Sequence, residues 1–102
     1  MDRKLDLDGI LKTLRRVMPT LREKYKVKSI GVFGSYVRKK QRESSDLDIL
    51  VEFEEGAKLS LLDVVGLEIE LSDLLGVKVD LVEKKNLKPH IGQHILGEVV
   101  YV

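Results

Sequence analysis

Asp46 and Asp48 stand one residue apart, Asp80 sits alone inside a short hydrophobic run, and Gly34-Ser35 precedes all three. Two carboxylates at that spacing share one face of a strand, where they can share a divalent metal. Gly34 lets backbone approach an anion closely, and Ser35 offers a hydroxyl and an amide at the start of a helix. Together they suggest nucleotide chemistry, because nucleotidyl transfer rests on positioning and charge neutralisation more than on covalent work by the protein. In that chemistry Asp46 and Asp48 converge on a metal bridging phosphate oxygens. Asp80 completes a second metal position and is the candidate general base for an attacking hydroxyl. Arg38, just after the turn, can fork its guanidinium onto phosphate oxygens.

The elements around these residues follow from periodicity. Leu7, Ile10, Leu11, Leu14, Val17, Met18, Leu21 and Tyr25 recur at helical spacing, and Pro19 predicts either a kink or two short helices, the second opening at Pro19. Lys28 to Phe33 reads as a buried strand ending at Gly34, Ser35 to Lys40 as the first turn of a short helix, and Gln41 to Ser45 as a polar loop. Leu47, Ile49, Val51 and Phe53 alternate with Asp46, Asp48, Leu50 and Glu52, so the two aspartates point the same way off a second strand. Ser60 and Asp63 form a capping box ahead of a helix over about 61 to 75, with Gly76 at its far end. Being apolar on more than one side, that helix is expected to be well buried. Val77 to Val82 gives a third strand that carries Asp80 opposite its apolar face. A helix near Lys88 to Leu96 and an extended Val99 to Val102 close the chain.

Composition bounds the answer. The 102 residues suit one small domain spanning 1–102, and 43% hydrophobic with 34% charged residues is ordinary for a soluble globular chain. A formal charge of +1 gives no bulk electrostatic case for direct nucleic-acid or membrane binding, and the absence of cysteine excludes disulfides and thiolate chemistry. With no apolar signal core at the start and no run of membrane-spanning length, a cytoplasmic location is the expectation.

A D-x-D pair by itself is most often the solvated face of a strand, and a Gly-Ser turn by itself says less. The order is what informs: strand, Gly-Ser, short helix, polar loop, D-x-D strand, then a lone acid in a third strand. Val32-Phe33-Gly34-Ser35-Tyr36-Val37-Arg38 followed by Ser45-Asp46-Leu47-Asp48-Ile49-Leu50-Val51 resembles the signature of the minimal nucleotidyltransferases, within the polymerase-beta-like nucleotidyltransferase superfamily. The resemblance runs from the first helix to the last. It implies that Gly34 and Ser35 hold the triphosphate, that Asp46, Asp48 and Asp80 form a catalytic triad with two magnesium ions, and that AMP moves from ATP to a hydroxyl. In the resembled family the partner is typically a HEPN-domain ribonuclease toxin, which the transferase, as antitoxin, inactivates by adding AMP to a tyrosine. Val37 and Lys39 depart from the pattern, since members commonly carry Ala and Gly around the Arg.

The fold expected is a small α/β (α+β) domain whose mixed sheet carries the acids on one side and helices on the other. A chain this size has little room for acceptor recognition, so a partner protein or a homodimer is expected to complete the site. Three rivals differ in class or acceptor: a non-catalytic module masking its partner by contact, a small-molecule transferase of the aminoglycoside type, and an RNA-directed enzyme using the basic run Arg38 to Arg42. The retained triad weighs against the first, and near-neutral charge against the third. His90 and His94 are four apart on a predicted helix but lack the intervening acid of a zinc protease, so a surface or partner-facing role is expected. Tyr36 and Tyr101 read most simply as packing residues, with Tyr36 also placed to touch a base.

Overall fold

The computed structural model describes residues 6–42 and 45–102. Four strands form one mixed sheet in the order β3-β2-β1-β4, with β1 Val27–Phe33, β2 Leu47–Phe53, β3 Val79–Glu83 and β4 Val100–Tyr101. β1 pairs antiparallel with β2 and β4, while β2 and β3 run parallel. Helix α1 (Leu7–Tyr25) and helix α2 (Leu61–Leu75) supply Leu14, Leu21, Leu67 and Leu71 to the same buried cluster as Ile30, Val32, Ile49 and Val79. That cluster marks the core face of the sheet. Each fully buried aliphatic side chain contributes about 1.5–3 kcal/mol relative to exposure, so this face carries most of the stability.

Local choices agree with the pattern. The Asp6 carboxylate accepts from the Gly9 amide at 2.9 Å to cap α1, and Ser60 and Asp63 cap α2 reciprocally. Gly76 ends α2 in the left-handed conformation. A bulge at the start of β1 lets Val27 face the core together with Ile30 and Val32, which simple alternation from Lys28 does not anticipate.

Three expectations are narrowed or corrected. Of the two alternatives at Pro19, the pair of short helices is ruled out: α1 is one continuous helix containing Pro19. A proline removes a single intrahelical donor, and the buried stripe of Ile10, Leu11, Leu14, Met18 and Leu21 runs past it to hold both halves on the sheet. The short helix expected over Ser35 to Lys40 is a single 3₁₀ turn, Gly34–Tyr36, and the chain turns away at Lys39, whose φ of 58° is left-handed and cannot continue a helix. α2 is buried only along Leu67, Leu71 and Leu75, while Leu61 and Leu62 are about four-fifths exposed, at 78% and 80%. The sheet covers one side of α2, and no second described layer covers the other. The polar loop falls partly outside the described residues at 43 and 44. Among the described residues no helix is long and apolar enough to cross a membrane.

Candidate active site

The parallel ladder sets Asp48 directly beside Asp80. Their neighbours Leu47, Ile49 and Val79 are buried in the core, so alternation turns both carboxylates to the opposite face. Asp46 lies just before β2, two residues from Asp48 and near enough for its charge to act there, and both it and Asp80 are exposed. Asp48 is half-buried. Burial pushes its carboxyl above the usual aspartate range, and the negative charges of Asp80 and Asp46 push it further, with Arg38 pulling the other way and Glu98 adding to the rise. Asp80 sits on an edge strand that α2 grips from outside. The Ser72 hydroxyl and the Glu68 carboxylate each accept, at 3.0 Å, from the amides of Val79 and Leu81 on either side of Asp80. These bonds fix β3 where an edge strand would otherwise present unpaired donors.

Gly34 adjoins this acid group. Its φ is +81°, and a Cβ there would collide with the Asp48 carboxylate, so glycine is required by conformation and by space. The Val37 and Arg38 amides both donate to the Gly34 carbonyl at 3.1 Å, and the Lys40 amide donates to the Ser35 carbonyl at 2.9 Å, which tightens the turn. Tyr36 is buried in the core cluster, and burial, then the nearby Asp46, raises its phenol above the ordinary value.

The structure therefore brings Gly34, Arg38, Asp46, Asp48 and Asp80 together, with Ser35 in the same turn. It does not bring His90 or His94 there as ligands: both are exposed on α3 (Pro89–Glu98), and among the described residues no three His, Asp or Glu side chains form an all-protein metal cage. Magnesium seldom needs such a cage. It binds through one or two carboxylates plus substrate phosphates and water, so a half-buried Asp48 crowded by two like charges fits a metal that arrives with a triphosphate.

One residue at the site escaped sequence reasoning. Glu98, in the last turn of α3, accepts from the Gly34 amide at 3.0 Å and from Arg38 Nη1 at 3.1 and 3.0 Å through its two oxygens. It lies 64 positions from Gly34, and its one local signal is an acid in the final helical turn, where the helix dipole disfavours negative charge.

Residues 14–102 match the family model for a nucleotidyltransferase domain. The chain belongs to that family. As a nucleotidyltransferase it is 51% identical over 98 residues to the protein adenylyltransferase MntA of Thermococcus cleftensis, an alignment covering 96% of this chain and 97% of that one. A solved structure described as a minimal nucleotidyltransferase superposes with a TM-score of 0.76 at 38% identity, covering 97% of this chain and 98% of the other. A toxin–antitoxin crystal structure with AMP-PNP gives a TM-score of 0.69 at 26% identity, over 85% of this chain and 69% of that one. This nucleotidyltransferase thus has the mixed sheet and flanking helices of the polymerase-beta-like fold.

Proposed function

We propose that the protein is an ATP- and magnesium-dependent protein adenylyltransferase, the antitoxin of a pair whose toxin is a HEPN-type ribonuclease modified on a tyrosine hydroxyl. The observation that carries the reading is the register of Asp48 with Asp80, with Gly34 against the Asp48 carboxylate. Support for the donor and the setting comes from the adenylyltransferase relative and from the toxin–antitoxin structure with AMP-PNP.

Asp46 and Asp48 would hold the metal-bound triphosphate, with Asp80 completing a second metal position. Bound magnesium supplies charge neutralisation on the phosphates and on the departing oxygen. The Gly34-Ser35 turn and Arg38 orient the phosphate chain. Asp80, exposed beside Asp48, takes the proton of the acceptor hydroxyl as its oxygen forms a bond to the α-phosphorus. The bond from that phosphorus to the α,β-bridging oxygen breaks, and pyrophosphate leaves with the electron pair. The acceptor carries AMP.

The exposed apolar residues Leu61, Leu62, Val65 and Ile69 of α2 favour a second reading, in which contact alone masks the toxin. One experiment separates them. The product of the adjacent gene is incubated with this protein, ATP and magnesium, and its mass and ribonuclease activity are measured. A gain of AMP with loss of ribonuclease activity, absent with Asp46→Asn/Asp48→Asn, supports transfer. Equal neutralisation by that variant with no mass change favours masking.

A further inference from the structure

Two donors at the turn beside the Asp48 carboxylate, the Gly34 amide and Arg38 Nη1, are already engaged. The Gly34 amide has one proton, and it goes to Glu98 Oε1 at 3.0 Å. Arg38 Nη1 spans both Glu98 oxygens, so the charge of the one guanidinium at the turn is neutralised by a carboxylate. Glu98 is well enclosed, with its side chain only 18% exposed, and its charge is felt at Asp48. Nothing in the local structure of α3 calls for an acid there, since the last turn of a helix favours a cation. What brings Glu98 to the turn is the close passage of the chain over β1. Gly31 leaves room for Val99 and Tyr101, whose Cδ1 lies 3.1 Å from where a Cβ would stand, and Val100 pairs with Val32.

We propose that Glu98 is a resident anion of the triphosphate cradle: it holds the Gly34 amide and the Arg38 guanidinium in place before nucleotide arrives, and nucleotide binds by displacing it. The inference rests on the nucleotidyltransferase reading of the site. A triphosphate close enough to take the Gly34 amide meets Glu98 on the same donor and with the same sign of charge, so the two cannot share the position. Until then the carboxylate satisfies a buried amide and keeps Arg38 folded over the turn, which would otherwise be free to leave it. Glu98 is a positioning residue and makes no bond to the reacting atoms.

Calorimetry with magnesium and α,β-methylene ATP, which cannot transfer AMP, tests this on wild type, Glu98→Gln, Glu98→Ala and Arg38→Ala/Glu98→Ala, each checked for folding by its melting curve. Removing the charge is expected to tighten the analogue about 3- to 10-fold in the two single variants, and the gain should shrink when Arg38 is also removed. In steady state Glu98→Gln should lower KM for ATP with kcat changed little. Wild type gives a readout that needs no variant: its Gly34 amide resonance must shift when the analogue saturates, because its acceptor changes. A Gly34 resonance that stays put, or variants that fold but bind equally or more weakly, would mean that Glu98 remains in place and braces Arg38, and the proposal falls. Binding by Glu98→Gln but not by wild type would support it strongly. If neither wild type nor any variant binds, the nucleotidyltransferase reading itself fails and takes the proposal with it.

Discussion

The two halves of the candidate site are in opposite electrostatic states. Along the strands, Asp46, Asp48 and Asp80 gather negative charge, and Asp48 bears it as a carboxyl held above its ordinary range. At the adjoining turn, Glu98 holds the Gly34 amide and Arg38 Nη1. One half gathers like charge and the other already has its anion. A metal–triphosphate complex corrects the first and competes for the second, so affinity for nucleotide and affinity for metal should be strongly coupled.

The comparison breaks most sharply at the acids. Asp46→Asn/Asp48→Asn should abolish AMP transfer, by roughly 10³-fold or more if these groups hold the metal, as seen by incorporation of label from ATP. Transfer surviving within tenfold would remove them from the mechanism. Arg38→Ala should act chiefly on nucleotide affinity and leave the acid half intact.

The same crowding predicts a pH effect on the metal-free fold. The folded pKa of Asp48 is raised, so the folded state holds that proton more tightly than the unfolded chain does. The protein is therefore favoured below the unfolded aspartate pKa. It loses that advantage as pH rises towards the raised folded value, and the penalty is complete above it. Asp48→Asn should flatten this slope and raise the melting temperature at neutral pH. Magnesium should stabilise wild type and not the variant. Parallel melting curves for the two proteins across the acid-to-neutral range would test the sign.

The smallest expected effect lies at Lys39. Its left-handed φ of 58° costs an L-residue about 1–2 kcal/mol, partly offset in Lys39→Gly by the greater freedom of the unfolded chain. A net gain of about 0.5 kcal/mol, or a rise of roughly 2–4 °C in melting temperature, should leave the Asp48 slope untouched. A loss of stability would show that the Lys39 side chain contributes more than its backbone costs.

What was legible in the sequence divides along local and long-range lines. The alternation of β2, the capping box of α2 and the glycine at its end are written in adjacent residues. The family motif added the sense of the Gly34 turn, and the departure at Lys39 proved informative, since the chain there adopts the conformation a glycine accepts most readily. Pro19 left one helix or two undecided, because a local breaker says nothing of the sheet that holds both halves of α1. The burial of α2 was overestimated because composition records how apolar a helix is, not how many layers lie against it. Glu98 was invisible because nothing near it in sequence connects it to a turn 64 positions away.

The parallel pairing of β2 with β3 has a consequence for where this chain can change length. Asp48 and Asp80 meet because α2 carries the chain back over roughly 22 Å, about the span of a seven-residue strand, before β3 begins. Residues added to the exposed turn at Glu54-Glu55-Gly56 can bulge outward before Ser60 caps the helix, leaving α2 and β3 in phase with the sheet. A single residue inserted between Gly76 and Val79 has no such outlet. Either β3 slides along its partner or its alternation reverses, which would turn Asp80 into the apolar core and a hydrophobic side chain outward beside Asp48. Insertions and deletions should therefore be tolerated on the approach to α2 and rejected on its exit.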